Sequence, residues 1–154
     1  MVSEMKIKIL DERVRAWGLP AYQTAKSAGL DLYACVKSPM TIYPQAPAEL
    51  IPTGIAVDMD EPMVCGMIYP RSGLGHKKGL VLGNGTGVID ADYQGEIFVS
   101  AWNRNPDGDG IEVKPGDRIA QLVFLPVIQP SFREVADFDQ KSRRGSGGFG
   151  STGT

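Results

Sequence analysis

Glycine and proline interrupt this chain so often that only short secondary-structure elements fit between them. The 154 residues include 19 glycines and 11 prolines. Between these breaks lie short runs that alternate polar and apolar side chains or are almost wholly apolar, a pattern typical of β-strands. The runs predicted as strands are residues 6–10, 53–59, 63–69, 96–102, 111–113, 118–125 and 132–135.

Strands of this length predict an all-β fold, a jelly-roll-like barrel or sandwich. One short helix is expected from residue 72 to about residue 78, with Ser72 as its cap and Gly79 as its stop. The length indicates one domain, assigned to residues 1–141. Residues 142–154 are rich in glycine, and ordering them would cost about 1–2 kcal/mol per residue. They are therefore predicted to be a mobile tail unless a ligand or partner holds them.

Charge and cysteine content argue against several classes of function. A net charge of -2 and a pI near 5.4 do not favour general binding to nucleic acid or to a membrane surface. Cys35 and Cys65 lie far apart and His76 is the only histidine, which argues against a zinc site. Reduced thiols in a soluble cytoplasmic protein are expected, with one disulfide as the alternative.

The segment 83–96 carries the strongest chemical signal, because it places carboxylates in a glycine-rich turn between apolar strands. Asp90 is the candidate general base, since the apolar side chains before it would hold its carboxylate still. Asn84 offers a donor and an acceptor suited to a pyrimidine edge, and Tyr93 offers a flat ring for a sugar. The alternative is a plain hairpin with an Asx-turn at its tip.

Four further segments supply groups that suit phosphate or metal. Arg71, Ser72 and Gly73 stand at a predicted helix start, where free amides and a forked cation attract anions. Asp31 could serve as a magnesium carboxylate, although a solvent-facing strand residue is the alternative. Gln121 interrupts the apolar run from residue 119 to residue 124, either as a functional polar group or because strand alternation places a polar residue there. In the tail, cations, hydroxyls and an aromatic ring could grip phosphates and stack on a base: Arg144, Phe149, Ser151 and Thr152.

In chain order, these segments resemble the five motifs of the homotrimeric dUTPases (deoxyuridine 5'-triphosphate nucleotidohydrolases) of the bacterial type. Individually, Ala28-Gly-Leu-Asp-Leu32 and Pro115-Gly-Asp-Arg118 would be weak signals. The stronger ones are Pro70-Arg-Ser-Gly-Leu-Gly75, Gly87-Val-Ile-Asp-Ala-Asp-Tyr-Gln-Gly95 and Arg144-Gly-Ser-Gly-Gly-Phe-Gly150.

The resemblance implies a trimer of jelly-roll subunits, with active sites at subunit interfaces and the tail of one subunit closing a site on its neighbours. The implied reaction is the magnesium-dependent hydrolysis of dUTP to dUMP and pyrophosphate, which limits uracil in DNA and supplies dUMP for dTTP synthesis. Asp90 would activate water and Asp31 would bind Mg²⁺ through water. The residues implied to bind substrate are Arg71, Ser72, Gly73, Asn84, Val88, Ile89, Asp90, Tyr93, Phe98, Gln121, Arg144, Phe149, Ser151 and Thr152.

Three alternatives stay open at this point. A dCTP deaminase resembles dUTPases in fold, although Asp90 and Tyr93 match the hydrolase pattern. A β-sandwich module could bind nucleotide without turning it over. Single-strand nucleic-acid binding is disfavoured because the basic residues are few and scattered.

Overall fold

Antiparallel strands dominate the part of the chain that this computed structural model describes, which is residues 4–140, 142, 145 and 146. Most are short, as the spacing of glycine and proline predicts. They are β1 Lys6–Ile9, β2 Gly29–Tyr33, β3 Met40–Ile42, β4 Glu49–Pro52, β5 Ile55–Asp58, β6 Val64–Pro70, β7 Leu80–Leu82, β8 Gly87–Ile89, β9 Phe98–Asn103, β10 Ile111–Val113 and β11 Arg118–Pro126.

The described strands pair into two sheets and two ribbons. The larger sheet has the order β2-β11-β6-β8 and the smaller has the order β4-β9-β7. The ribbons are β1-β5 and β10-β3, and every pair is antiparallel. This arrangement confirms the predicted jelly-roll-like all-β class.

The core lies on one face of each sheet, because successive side chains of a strand point to opposite faces. In β9, Val99 and Ala101 are buried while Trp102 lies on the exposed face. In β11, Ala120 and Leu122 are buried. The large side chains that are almost fully buried include Val14, Leu32, Ile42, Ile51, Ile55, Ile97, Val99, Val113 and Leu122.

A helix that the sequence pattern did not predict, α1 Arg13–Trp17, closes one end of the core with Val14. It is held by Arg13, which donates to both carboxylate oxygens of Asp11 and to the backbone carbonyls of Cys35 and Val36. Those hydrogen bonds hold the pKa of Asp11 well below its usual range. Burial raises the pKa of the free Cys35 thiol.

The helix predicted from residue 72 is present but differs in detail. Its main part is a π-helix, Leu74–Lys78, which ends at Gly79 in the left-handed conformation at φ 80°, as predicted. Ser72 is not the cap: it lies inside the helical turn, and no side-chain hydrogen bond caps the segment. Five residues are too few for α-helical propensity to set the winding, so tertiary contacts decide it.

Residues 132–135 were predicted as a strand, and this prediction is wrong. The segment has no strand partner among the described residues, and Phe132 is 97% exposed. Conversely, β3 and β4 lie in a proline-rich stretch where no strand was predicted. Among the described residues, no helix combines the length and the apolar character needed to cross a membrane.

Gly54 offers a test of the packing between α1 and the core. Its φ is +72°, and a Cβ there would lie 2.7 Å from Val14 Cγ2 and 2.8 Å from Cys35 Sγ. We expect Gly54→Ala to lower the free energy of unfolding by about 2–4 kcal/mol, because backbone strain and overpacking add. Urea midpoints at one protein concentration would measure this.

The matched control for this change is Gly85→Ala. Gly85 has nearly the same φ, +75°, but a Cβ there would meet nothing within 4 Å. It therefore reports the backbone strain without the clash. A Gly54→Ala protein no less stable than the Gly85→Ala protein would contradict the packing described here.

Candidate active site

The register of the larger sheet brings three polar side chains to one face. Gln121 on β11 lies opposite Asp31 on β2 and opposite Tyr69 on β6. Directly opposed residues in antiparallel strands share a face, and the neighbouring Leu122 points to the core instead. The structure therefore places Asp31 and Gln121, two of the predicted site residues, side by side.

Asp31 is buried, at 5% exposure, although it points away from the apolar core. The solvent-facing alternative is therefore wrong. Two arginines cover the carboxylate: Arg71 Nε lies 2.9 Å from Asp31 Oδ1 and Arg118 Nη1 lies 3.3 Å from Asp31 Oδ2. A buried carboxylate requires such partners, because burial of an unpaired charge costs several kcal/mol.

Arg118 reaches Asp31 because of a break in the strand register. Ala120 lies opposite Leu32, but Arg118 lies opposite Tyr33, so β11 carries one extra residue between them. A bulge of this kind redirects a side chain. The sequence pattern assigns this arginine no role, although Arg118 ends the segment Pro115-Gly-Asp-Arg118. Only the bulge, which the strand pattern does not reveal, brings it to the site.

Arg71, Ser72 and Gly73 follow directly on β6. Ser72 and Gly73 are exposed at the start of the helical turn, and Arg71 is turned back over Asp31. A small cavity of about 240 Å³ adjoins them and is lined by three cations, Arg71, Lys78 and Arg118. The two carboxylates that also line this cavity are Glu112 and Asp117. This edge of the sheet can accept an anionic group.

Asn84 and Asp90 lie at the two ends of β8. Asn84 is in the exposed turn that connects β7 in the smaller sheet to β8 in the larger one. Asp90 begins a tight turn, in which its carbonyl accepts a hydrogen bond from the Tyr93 amide at 3.1 Å. Both side chains are exposed, so both are accessible to a ligand.

The loop that carries Asp90 and Tyr93 is fixed from both sides. The Tyr93 hydroxyl donates to the Glu96 carbonyl at 2.8 Å, and Glu96 Oε1 accepts from the Gly54 amide at 2.9 Å. Thr53 Oγ1 donates to the carbonyl of Ile97, which is fully buried. The ring of Tyr93 stays 42% exposed. A flat aromatic surface is therefore held beside the candidate base.

Two apolar side chains near this turn are unusually exposed. Val88 is 60% exposed and Phe98 is 42% exposed, while Ile89 between them in sequence is half-buried. The Gly83 amide donates to the Ser100 carbonyl at 2.8 Å, which brings the turn after β7 against β9. Backbone groups and apolar side chains thus surround the same turn, as a base-reading pocket requires.

A single chain does not bring the candidate base, Asp90, close to Arg71, the candidate phosphate ligand. Ile89, next to Asp90, pairs with Gly66, whereas Arg71 follows Pro70 at the other end of β6. Pro70 lies four positions after Gly66 along the strand, which is about 13 Å at the usual rise per residue. Arg71 also points across β11 towards β2, away from β8. The predicted tail residues, Arg144, Phe149, Ser151 and Thr152, lie outside the described residues.

Asp31 also fits a metal bound through water. Its Oδ1 is buried and accepts no hydrogen bond from any described residue, because the Arg71 contact is not aligned as one. No group of three or more metal-ligating side chains occurs among the described residues. A single carboxylate suits Mg²⁺, which keeps several waters and uses substrate phosphates as ligands.

A larger groove of about 980 Å³ lies away from these residues. It is mostly apolar and includes Tyr22, Met63, Val64, Phe124 and Leu125. It contains none of the predicted site residues. Size alone therefore does not mark the site in this chain, and the charged face of the larger sheet remains the better candidate.

Comparison with known proteins gives one consistent family. The dUTPase family model matches residues 15–153. The deoxyuridine 5'-triphosphate nucleotidohydrolase of Xanthomonas campestris pv. campestris strain B100 is 54% identical, and that of Aeromonas hydrophila is 51% identical, each over 99% of both chains. The dUTPase of Staphylococcus bacteriophage 80alpha, solved with dUPNHPP, superposes with a TM-score of 0.83 at 29% identity, covering 99% of both chains. The chain belongs to the dUTPase family.

Proposed function

We propose that this protein hydrolyses dUTP to dUMP and pyrophosphate, a reaction that keeps uracil out of DNA and supplies dUMP for dTTP synthesis. Membership of the dUTPase family supports the reaction. The structural observation that supports this reaction most directly is the presence of two polar surfaces. One is the exposed Asp90 carboxylate on its turn, and the other is the cationic edge beside the buried Asp31 carboxylate. The free thiols of Cys35 and Cys65 are consistent with a cytoplasmic location.

In the proposed reaction, the Asp90 carboxylate accepts a proton from water as the water oxygen attacks the α-phosphorus. The bond from that phosphorus to its bridging oxygen breaks, and pyrophosphate leaves. Arg71 donates to phosphate oxygens through its forked guanidinium, and Ser72, Gly73 and Gln121 donate beside it. Asp31 would hold Mg²⁺ through water, and the ion would neutralise phosphate charge.

Selection of the nucleotide is assigned to the turn around β8. Asn84 and backbone groups near Val88, Ile89 and Phe98 read the uracil edge. Cytosine would leave polar groups of the turn unpaired, which can reject a substrate by about 10⁴–10⁵-fold. The ring of Tyr93 packs against the deoxyribose and leaves no room for a 2′-hydroxyl.

We further propose that the active enzyme is a homotrimer. Asp90 and Arg71 are too far apart in one chain to act on the same phosphorus, so the base and the phosphate ligands must come from different subunits. The segment after β11 also exposes apolar side chains that a partner would cover, with Ile128 at 86%, Phe132 at 97% and Phe138 at 82% exposure. The tail residues Arg144, Phe149, Ser151 and Thr152 would close a neighbouring site.

The direct test is release of pyrophosphate from equal amounts of dUTP, dTTP, dCTP and UTP with magnesium. We expect release from dUTP alone. Asp90→Asn should lower kcat by at least about 10²-fold with little loss of binding, because a positioned base contributes about that much. Ammonia release from dCTP would point to a deaminase instead, and no turnover in a folded trimer would point to a binding module.

Sharing of the site between chains can be tested by mixing inactive subunits. Asp90→Asn and Arg71→Met chains are unfolded together in equal amounts and refolded. If the two residues come from different chains, about a quarter of the sites receive one intact copy of each, and about a quarter of the wild-type rate returns. A site built within one chain would recover nothing.

The control for this mixture is the double variant Asp90→Asn/Arg71→Met refolded with an equal amount of wild-type chain. Each chain is then either fully intact or fully defective, and about a quarter of the shared sites are again complete. Refolding losses would lower both mixtures equally. Activity in the control but none in the first mixture would place Asp90 and Arg71 of one site on a single chain.

Tyr93 is expected to select deoxyribose by close packing. Tyr93→Ala should raise the ratio of kcat/KM for UTP to that for dUTP by about tenfold or more, since removing the ring opens space for a 2′-hydroxyl. Tyr93→Phe keeps the ring and loses only the hydrogen bond to the Glu96 carbonyl, so it should change that ratio little. An unchanged ratio in the alanine variant would rule out this role.

A further inference from the structure

Among the described residues, Arg118 is the cation on Asp31 to which neither the family resemblance nor the sequence pattern gives a role. We infer that it is a positioning residue: it keeps the Asp31 carboxylate paired when Arg71 leaves that carboxylate for a substrate phosphate. The inference rests on the proposed function, in which Arg71 binds phosphate. Arg118 would allow Arg71 to move because it keeps Asp31 paired.

The contacts of Arg71 suit a side chain that moves. Arg71 Nε lies 2.9 Å from Asp31 Oδ1, but that oxygen accepts no hydrogen bond from any described residue. Arg71 Nη1 makes a long hydrogen bond, 3.3 Å, to the Arg118 carbonyl. Its side chain is 30% exposed beside the cationic cavity. Arg71 is therefore held by charge more than by aligned hydrogen bonds.

Moving Arg71 would be costly if it were the only partner of Asp31. Asp31 is 5% exposed, and removing one member of a buried ion pair leaves the other charge buried without a partner. Arg118 Nη1 donates to Asp31 Oδ2 at 3.3 Å, so one guanidinium remains when the other departs. Two cations on one carboxylate leave one positive charge in excess, which is available to an anion.

Two other carboxylates, Glu112 and Asp117, line the same cavity. Glu112 is paired elsewhere, because its Oε1 lies 2.9 Å from Lys114 Nζ. Asp117 accepts only a neutral backbone amide and keeps its charge, but Lys78 adds a third cation to the cavity, so one positive charge stays in excess. The bulge at the start of β11 adds a second argument. A regular register would place Arg118 opposite Ala34, which is fully buried, whereas the bulge places it opposite Tyr33 on the face of Asp31.

The test is calorimetric binding of pyrophosphate to the full-length protein without nucleotide and with EDTA present, so that metal plays no part. Arg118→Met should bind pyrophosphate about tenfold more weakly than the wild type, because Arg71 is then needed on Asp31. Asp31→Asn should bind at least as tightly as the wild type. In the Asp31→Asn background, adding Arg118→Met should change the affinity less than about twofold.

Two controls separate this role from a loss of structure. Deoxyuridine has no phosphate, so its affinity should not change in Arg118→Met. Arg15→Met removes an exposed arginine that pairs with Glu12 on the surface and should leave pyrophosphate binding unchanged. If Arg118→Met does not fold, Arg118→Lys serves in its place and should weaken binding by a smaller factor that also vanishes with Asp31→Asn.

Three results would overturn the inference. Arg118→Met could bind pyrophosphate as well as the wild type. The tenfold loss could persist in the Asp31→Asn background, which would mean that Arg118 contacts phosphate directly or only supports the fold. Arg71→Met could bind as well as the wild type, which would overturn the phosphate role of Arg71 as well. The first two results leave the proposed function intact.

Discussion

The position of β11 in the larger sheet is the constraint on which both the core and the site depend. It is the longest described strand and is paired on both sides, with β2 and with β6. One face contributes Ala120 and Leu122 to the core and the other presents Gln121 beside Asp31. A shift of one residue would exchange these faces. Hydrophobic burial on one side therefore fixes the polar constellation on the other.

The face of the larger sheet that is turned away from the core carries a buried carboxylate, Asp31. Two arginines lie over this carboxylate. An ion pair of this kind contributes little net stability, since desolvation offsets most of the attraction. The arrangement provides a fixed carboxylate whose two arginine partners carry one more positive charge than it neutralises. That is a useful starting state for a protein that binds a polyphosphate.

A single chain carries the parts of the site without assembling them. Hydrogen bonds within the chain, through Thr53, Gly54 and Glu96, hold the turn with Asp90 and Tyr93. The cationic edge is equally well defined at the far end of β6. Because the Asp90 turn and the cationic edge lie far apart in one chain, the proposed active site needs a partner chain to bring them together. The exposed apolar segment after β11 fits the same requirement.

Sequence patterns alone predict the fold class, most of the longer strands, and the residue types of the candidate site. Alternation and turn residues are local properties, so local patterns reveal them. They fail for α1, for β3 and β4, and for residues 132–135, where packing and not propensity decides the outcome. The burial of Asp31 and the contact of Arg118 with it follow from how the strands pair, and no local pattern predicts them. Strand register and bulges depend on which strands meet, and a single strand's pattern carries no record of its neighbours.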